Sequence, residues 1–246
     1  MDYPAFVKTT LYDPSFGYYS TAKTRVGHSS KTDFYTAQSL GPIFGQLVVA
    51  ACETLLGNTN ASDYTFVEIA AEPGRSVLDG VEHDFGAIKT IRLFDHLDIP
   101  PKAIVFANEW LDAQPFRRFR FDKDEGWLER GVEVTDDGLQ EIDIHQTVDV
   151  PPFLKEISTD TPRNYLLDLP TGATESLVNL CSKDWKGLFL TFDYGLSLED
   201  FIRRRPEGIA RGYKAHRLSS NILACPGEQD ITCHVCWDML ESVLMD

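Results

Sequence analysis

The sequence predicts an α/β fold built on an open, mostly parallel sheet, and three observations carry that prediction. Short, nearly continuous apolar runs recur between stretches of helical spacing, which suits strands buried on both faces of a parallel sheet. Acids or amides stand where those runs end, at Glu68, at Asn108-Glu109 and at Asp193. One long segment, Phe116 to Ile144, instead alternates apolar and polar residues around turns at Asp124-Glu125-Gly126 and Asp136-Asp137-Gly138. That is the pattern of an antiparallel meander with one wet face, inserted into the α/β frame.

Taken in order, Thr9 to Thr36 reads as irregular surface chain punctuated by Gly17, Gly27 and Ser29-Ser30. From Leu40 to Leu56 the apolar residues Phe44, Leu47, Val48, Ala51 and Leu55 recur three and four apart, an amphipathic helix that Gly57-Asn58 stops. Tyr64 to Ala71, closed by Pro73-Gly74, is the first buried strand. Ala87 to Phe94 and Ala103 to Ala107 read as the next two, with Pro100-Pro101 before the latter. After the meander, a helix is expected over Ala173 to Ser182, then a further buried strand from Gly187 to Asp193 ended by Tyr194-Gly195. With no internal repeat and no long linker, residues 1–246 read as a single domain.

Composition narrows the function classes. Hydrophobic residues at 43% and charged residues at 25% exclude disorder. Lys+Arg at 23 against Asp+Glu at 38 gives a net charge of −15, a field that repels phosphate backbones and argues against nucleic-acid binding. No apolar run approaches the ~18 residues of a membrane span. The opening Met1-Asp2-Tyr3-Pro4 lacks a basic segment followed by an apolar one, so no signal peptide is expected. Five unevenly spread cysteines suit a reducing compartment, and the expected location is the cytoplasm.

Ligands of open parallel sheets bind beyond the carboxyl ends of the strands. Here those ends carry Glu68 to Gly74, Asn108 to Pro115 and Asp193 to Gly195. A phosphate-cradling Gly-x-x-x-x-Gly-Lys-Ser/Thr is absent, and no Gly-x-Gly-x-x-Gly follows the first strand, against both triphosphate hydrolysis and nicotinamide chemistry. An acid opening a turn of small residues suits a nucleoside cofactor without phosphate, such as S-adenosylmethionine; capping of a following helix is the other reading of such an acid.

Seven segments bear on that choice: Leu11-Tyr12-Asp13-Pro14-Ser15-Phe16-Gly17-Tyr18-Tyr19, Thr32-Asp33-Phe34-Tyr35-Thr36, Phe44-Gly45, Asn108-Glu109 through Asp112-Ala113-Gln114-Pro115, Asp193-Tyr194-Gly195, Tyr213 with His216, and Pro226 to Thr232. Together, and in this order, the chain resembles the MidA family of S-adenosylmethionine-dependent methyltransferases. Mitochondrial members of that family act in respiratory complex I assembly by symmetrically dimethylating an arginine.

The resemblance implies a Rossmann-like class I methyltransferase sheet, S-adenosylmethionine as cofactor and a protein substrate. Residues 1–60 would then cover the cofactor. It implies that Asp33, Phe34, Thr36, Glu68, Gly74 and Asn108 lie on the cofactor, and that Glu109, Asp112 and Asp193 serve catalysis. Tyr194, Tyr213, His216 and Asp230 fall on the substrate side. Carboxylates suit a guanidinium, which is always cationic and presents a planar fork of donors.

The chain departs from the family pattern at four places. Thr32 replaces a glycine, and Glu72 stands in the glycine-rich turn, where it is expected to point outward and cap the next helix. Only 40 positions separate Glu68 from Asn108, room for one intervening strand, so the half-sheet is abbreviated and Asp95 is the best-placed acid for the ribose hydroxyls. The family pattern also continues beyond Asp246, so an uncovered edge is expected beside the Gly187 to Asp193 strand, inviting pairing with another chain, as in a homodimer, or poor stability. A catalytically degenerate relative acting as a binding factor is the alternative reading. Cys233, Cys236 and Cys225 are expected to be structural thiols, with no metal site. Arg203-Arg204-Arg205 reads as an exposed loop, and His216 and His234 as either structural or substrate-side.

Overall fold

A computed structural model describes the chain except residues 22–24, 26–31, 34–40, 72–73, 93–95, 145–149, 152–153, 155–160, 204 and 246. Phe34, Thr36, Glu72 and Asp95, expected at the site, lie outside the described residues. The contacts divide the chain into two units: Met1–Ala22, Leu111–Val178 and Tyr194–Asp246 form one, and Lys23–Trp110 with Asn179–Asp193 the other.

In chain order the elements are helices α1 (Tyr3–Tyr12) and α2 (Pro42–Leu56), then strands β1 (Thr65–Ile69), β2 (Ala87–Ile91) and β3 (Lys102–Asn108). The meander follows as β4 (Arg117–Asp122), β5 (Gly126–Thr135) and β6 (Gly138–Ile144), then β7 (Leu166–Leu169), α3 (Thr171–Cys181) and β8 (Lys186–Phe192). The chain closes with β9 (Gly195–Leu196), α4 (Leu198–Arg203), β10 (Arg211–Lys214), β11 (Arg217–Ser219), β12 (Asp230–Thr232), β13 (Val235–Cys236) and α5 (Trp237–Met245).

The Lys23–Trp110 unit holds a four-stranded, all-parallel sheet in the order β2-β1-β3-β8. One strand, β2, intervenes between β1 and β3, as the 40-residue interval predicts. Phe44, Val48, Val49 and Cys52 of α2 pack with Phe66, Ile104 and Phe106 of the sheet and with Val77, Leu78, Val81 and Phe85. Burial pushes the Cys52 thiol up to about 11. Gly57 ends α2 at φ +60°, its amide donating to the Glu53 carbonyl. β8 departs from the fully buried strand expected: Leu188 to Thr191 are half-buried and Phe192 is 44% exposed. Its edge position accounts for this, since β3 is its one partner in the sheet among the described residues.

The other unit joins the meander to β7 in a second four-stranded sheet, β6-β5-β4-β7, wholly antiparallel. The wet face expected for the meander is corrected here. Arg118, Arg120, Arg130, Glu141, Asp143 and Asp168 share one face, but Arg118 and Asp168 are buried. The expected irregular chain from Thr9 is a second correction, because Thr9 to Tyr12 close helix α1. Asp2 caps that helix through its side chain on the Ala5 amide, Pro4 sits in its first turn, and Tyr3, Phe6, Val7, Thr10 and Leu11 give it a buried stripe. Its start signal lies before Thr9, too close to the terminus for apolar spacing alone to reveal it.

Candidate functional site

Two of the four parallel strands, β1 and β3, end in left-handed backbone. Ala70, directly after β1, has φ +60° and donates its amide to the Ile91 carbonyl at 2.8 Å. Glu109, directly after β3, has φ +50° and donates its amide to the Phe192 carbonyl at 2.8 Å. A side chain at positive φ is costly and persists where surrounding structure enforces it; such residues gather at functional sites. Gly74 also lies at positive φ, where its lack of a Cβ removes that cost. Asn108 pairs with Phe192 across β3 and β8, so Glu109 and Asp193 follow matched positions at adjacent strand ends.

Glu68 is buried, but its carboxylate accepts from the Ser76 hydroxyl at 2.6 Å and from the Val77 amide at 3.1 Å. The acid expected to meet the cofactor therefore also fastens the turn after β1; no helix for it to cap lies between β1 and β2 among the described residues. Asp33 is likewise buried, and its amide donates to the Arg25 carbonyl at 2.8 Å. The carboxylates Glu109 and Asp193 at adjacent strand ends, with Ala70 and Ala71 after the neighbouring β1, suit a cationic sulfonium nucleoside.

The other unit gathers the remaining predicted residues in part. Asp112 and Asp230 are both buried, and the Cys233 amide donates to the Asp112 carbonyl at 2.8 Å, which ties the Asp112 turn to the end of β12. Tyr213 stands opposite Asp230 in the β10–β12 register, so the two share a sheet face. His216 is placed differently, at the exposed β10–β11 hairpin tip, where Ala215 and His216 both adopt positive φ. Tyr194 is 54% exposed and stacks on His234, ring centroids 6.2 Å apart. Burial, then the Arg205 and Arg211 charges, hold the His234 imidazole below its ordinary range.

Tyr12 and Tyr19 were not predicted as site residues, although both lie in the Leu11 to Tyr19 segment. The Tyr12 hydroxyl donates to the Ala113 carbonyl at 2.6 Å, and the Tyr19 hydroxyl donates to Asp230 Oδ1 at 2.8 Å. Two tyrosines seven residues apart were the available signal. Burial pushes the Cys233 thiol well up and the Cys236 thiol up as well. No group of three or more His, Cys, Asp or Glu among the described residues is placed to hold a metal ion. This unit also contains a separate cavity of about 500 Å³, bordered by Arg118, Glu141, Asn164 and Glu207, that includes none of the predicted site residues.

Comparison with known proteins is consistent with this frame. Residues 49–246 match a family model described as "Putative S-adenosyl-L-methionine-dependent methyltransferase". A COG1565 superfamily member from Burkholderia thailandensis, solved bound to S-adenosyl-homocysteine, superposes with a TM-score of 0.86 at 24% identity, over 99% of this chain and 71% of that one. A second COG1565 superfamily protein from the same organism gives a TM-score of 0.79 at 22% identity, over 99% and 70% of the two chains. At these identities the two structures establish the shared fold. No curated protein sequence matched the chain.

Proposed function

Because the chain belongs to this family of S-adenosyl-L-methionine-dependent methyltransferases, we propose that it transfers the methyl group to a guanidinium nitrogen of an arginine in a protein. The observation that carries the acceptor class is the charge of the placed residues. Glu109 and Asp193 stand at adjacent strand ends of one unit, and Asp112 and Asp230 are buried in the other. Within each unit these are carboxylates, the partners that a permanently cationic, planar donor requires.

When bound, S-adenosylmethionine supplies a methyl already activated on a sulfonium. The chain's own residues position the acceptor and arrange charge around it. As the guanidinium nitrogen gains a methyl it gives up a proton, which a strand-end carboxylate receives or passes to water. Glu109 is held for such a role by its backbone: positive φ and the bond to the Phe192 carbonyl fix the origin of its side chain.

The acceptor class is tested with S-adenosylmethionine carrying a labelled methyl and paired synthetic peptides that differ only in arginine or lysine. Label is expected on the arginine peptides and not on their lysine counterparts. Glu109→Gln and Asp193→Asn are each expected to lower kcat by about 10²- to 10³-fold, the range for removing one preorganised charge contact. Label on lysine, or on small molecules alone, contradicts the arginine reading. Cofactor binding with no transfer to any acceptor favours the non-catalytic alternative.

A further inference from the structure

The cavity bordered by Arg118, Glu141, Asn164 and Glu207 lies wholly within the unit that carries the antiparallel sheet, and its volume of about 500 Å³ is that of a small-ligand site. Its walls are fixed by hydrogen bonds. The Pro206 carbonyl accepts the Leu166 amide at 3.0 Å. Asn221 Oδ1 accepts the Leu223 amide at 3.2 Å, and the buried Gln229 side chain donates to the Ile222 carbonyl at 2.8 Å. Asn164, at φ +62°, accepts from Arg120 Nη1 at 3.1 Å, which ties that part of the border to the ion network of the sheet. Leu166, Ile222 and Leu223 add an apolar stretch to the lining.

The charges at the border do not cancel. Arg118 pairs with Asp168 and Glu141, and Arg130 with Glu141 and Asp143. Arg120 pairs with Asp143 and Asp122, and Arg163 reaches Asp122. In that network guanidinium groups and carboxylates match one for one, so Arg118 and Glu141 bring no net charge to the cavity. Glu207 stands outside it. Among the described residues no cation is paired with its carboxylate, which lies at an exposed position. The cavity therefore joins apolar lining to one uncompensated negative charge within reach of water. A cation on an alkyl stem matches both features, because such a stem covers apolar surface while its head stays hydrated beside the acid.

We propose that this cavity binds an aliphatic cation, an alkylammonium or alkylguanidinium group, with its stem on Leu166, Ile222 and Leu223 and its charge at Glu207. The site is separate from the strand-end residues, and its occupancy does not depend on methyl transfer.

The test uses the full chain and probes that share one alkyl stem, n-pentylammonium, 1-pentanol and pentanoate, each titrated by NMR. Pentylammonium is expected to bind saturably, with shifts centred on Leu166, Ile222 and Leu223; pentanol binds more weakly and pentanoate most weakly. Glu207→Gln is expected to weaken pentylammonium about two- to fivefold, the range of an exposed charge pair, and to leave pentanol unchanged. Glu207→Lys is expected to reverse the order of pentylammonium and pentanoate. Asp137→Asn removes the same charge at the exposed tip of the β5–β6 hairpin and is expected to change nothing. That control separates a local contact from the field of a chain at net charge −15.

Nα-acetyl-lysine methylamide presents the same cation on a polypeptide backbone. Binding at least as tight as that of pentylammonium assigns the ligand to a protein side chain, and weaker binding assigns it to a free amine. Equal affinity for pentylammonium and pentanol overturns the proposal. So does an unchanged pentylammonium affinity in Glu207→Gln, or an equal loss in Asp137→Asn.

Discussion

In the parallel sheet the packed interior is mainly apolar, with one buried acid, Glu68, near the end of β1: Phe66, Ile104 and Phe106 are wholly buried, and Phe66 and Phe106 stack at 5.8 Å. The antiparallel sheet encloses charge instead. Arg118 donates to both oxygens of Asp168 and to Glu141, while Arg120 and Arg130 converge on Asp143. Burial works against the Arg118 charge, but Asp168, Tyr3 and Glu141 together hold its guanidinium well above the usual range. Asp168 Oδ2 also accepts the Ile209 and Ala210 amides, each at 2.8 Å, which adds backbone donors to the ion pair. An apolar interior tolerates small changes of shape. A dry ion network tolerates none that leave a charge alone.

The largest expected effect follows from that difference. Arg118→Met strands the buried Asp168 carboxylate and is expected to cost about 3–5 kcal/mol in urea unfolding. A loss below ~1 kcal/mol would mean that water reaches Asp168 and that the two sheets differ less than described. In the parallel sheet, Ile104→Val removes one buried methylene and is expected to cost about 0.5–1.5 kcal/mol in the same assay. A larger penalty would place rigidity in the apolar core as well.

Ala70→Gly sharpens the comparison from the other direction. It relieves a positive φ at the strand end and is expected to stabilise the chain by up to ~1 kcal/mol, net of glycine's greater freedom when unfolded. Destabilisation would mean that the Ala70 methyl packs usefully. The smallest effect is a pH dependence. The folded protein holds His234 below the unfolded value of ~6.5, so the unfolded chain binds more protons between those two values. Stability is then fully present above pH ~6.5 and falls on acidification through that window. His234→Phe should flatten this slope, and a variant that keeps the wild-type dependence of melting temperature on pH from 5 to 7 would contradict it.

Much of the parallel sheet was legible because its signals are local. Continuous apolar runs located β1 and β3, helical spacing located α2, and simple counting allowed one strand between Glu68 and Asn108. The antiparallel face was misread because alternation states which residues share a face, not whether water meets it. Arg118 and Asp168, 50 residues apart, pair away from water, while Arg120, Arg130, Glu141 and Asp143 on the same face stay partly exposed. Glu68 was half-legible for a similar reason. Its place at a strand end was plain, but its commitment to Ser76 and Val77 depends on how the following turn folds back. Tyr19 lay in plain view, and its partner Asp230 stands 211 residues further along, beyond the reach of any spacing rule.

The most direct test of the account is calorimetric titration of the full chain with S-adenosylhomocysteine and S-adenosylmethionine. Saturable binding of one molecule per chain in the micromolar range is the predicted result, weakened when Glu68→Ala releases the turn after β1. No heat with either nucleoside, under conditions where the chain remains folded, would contradict it.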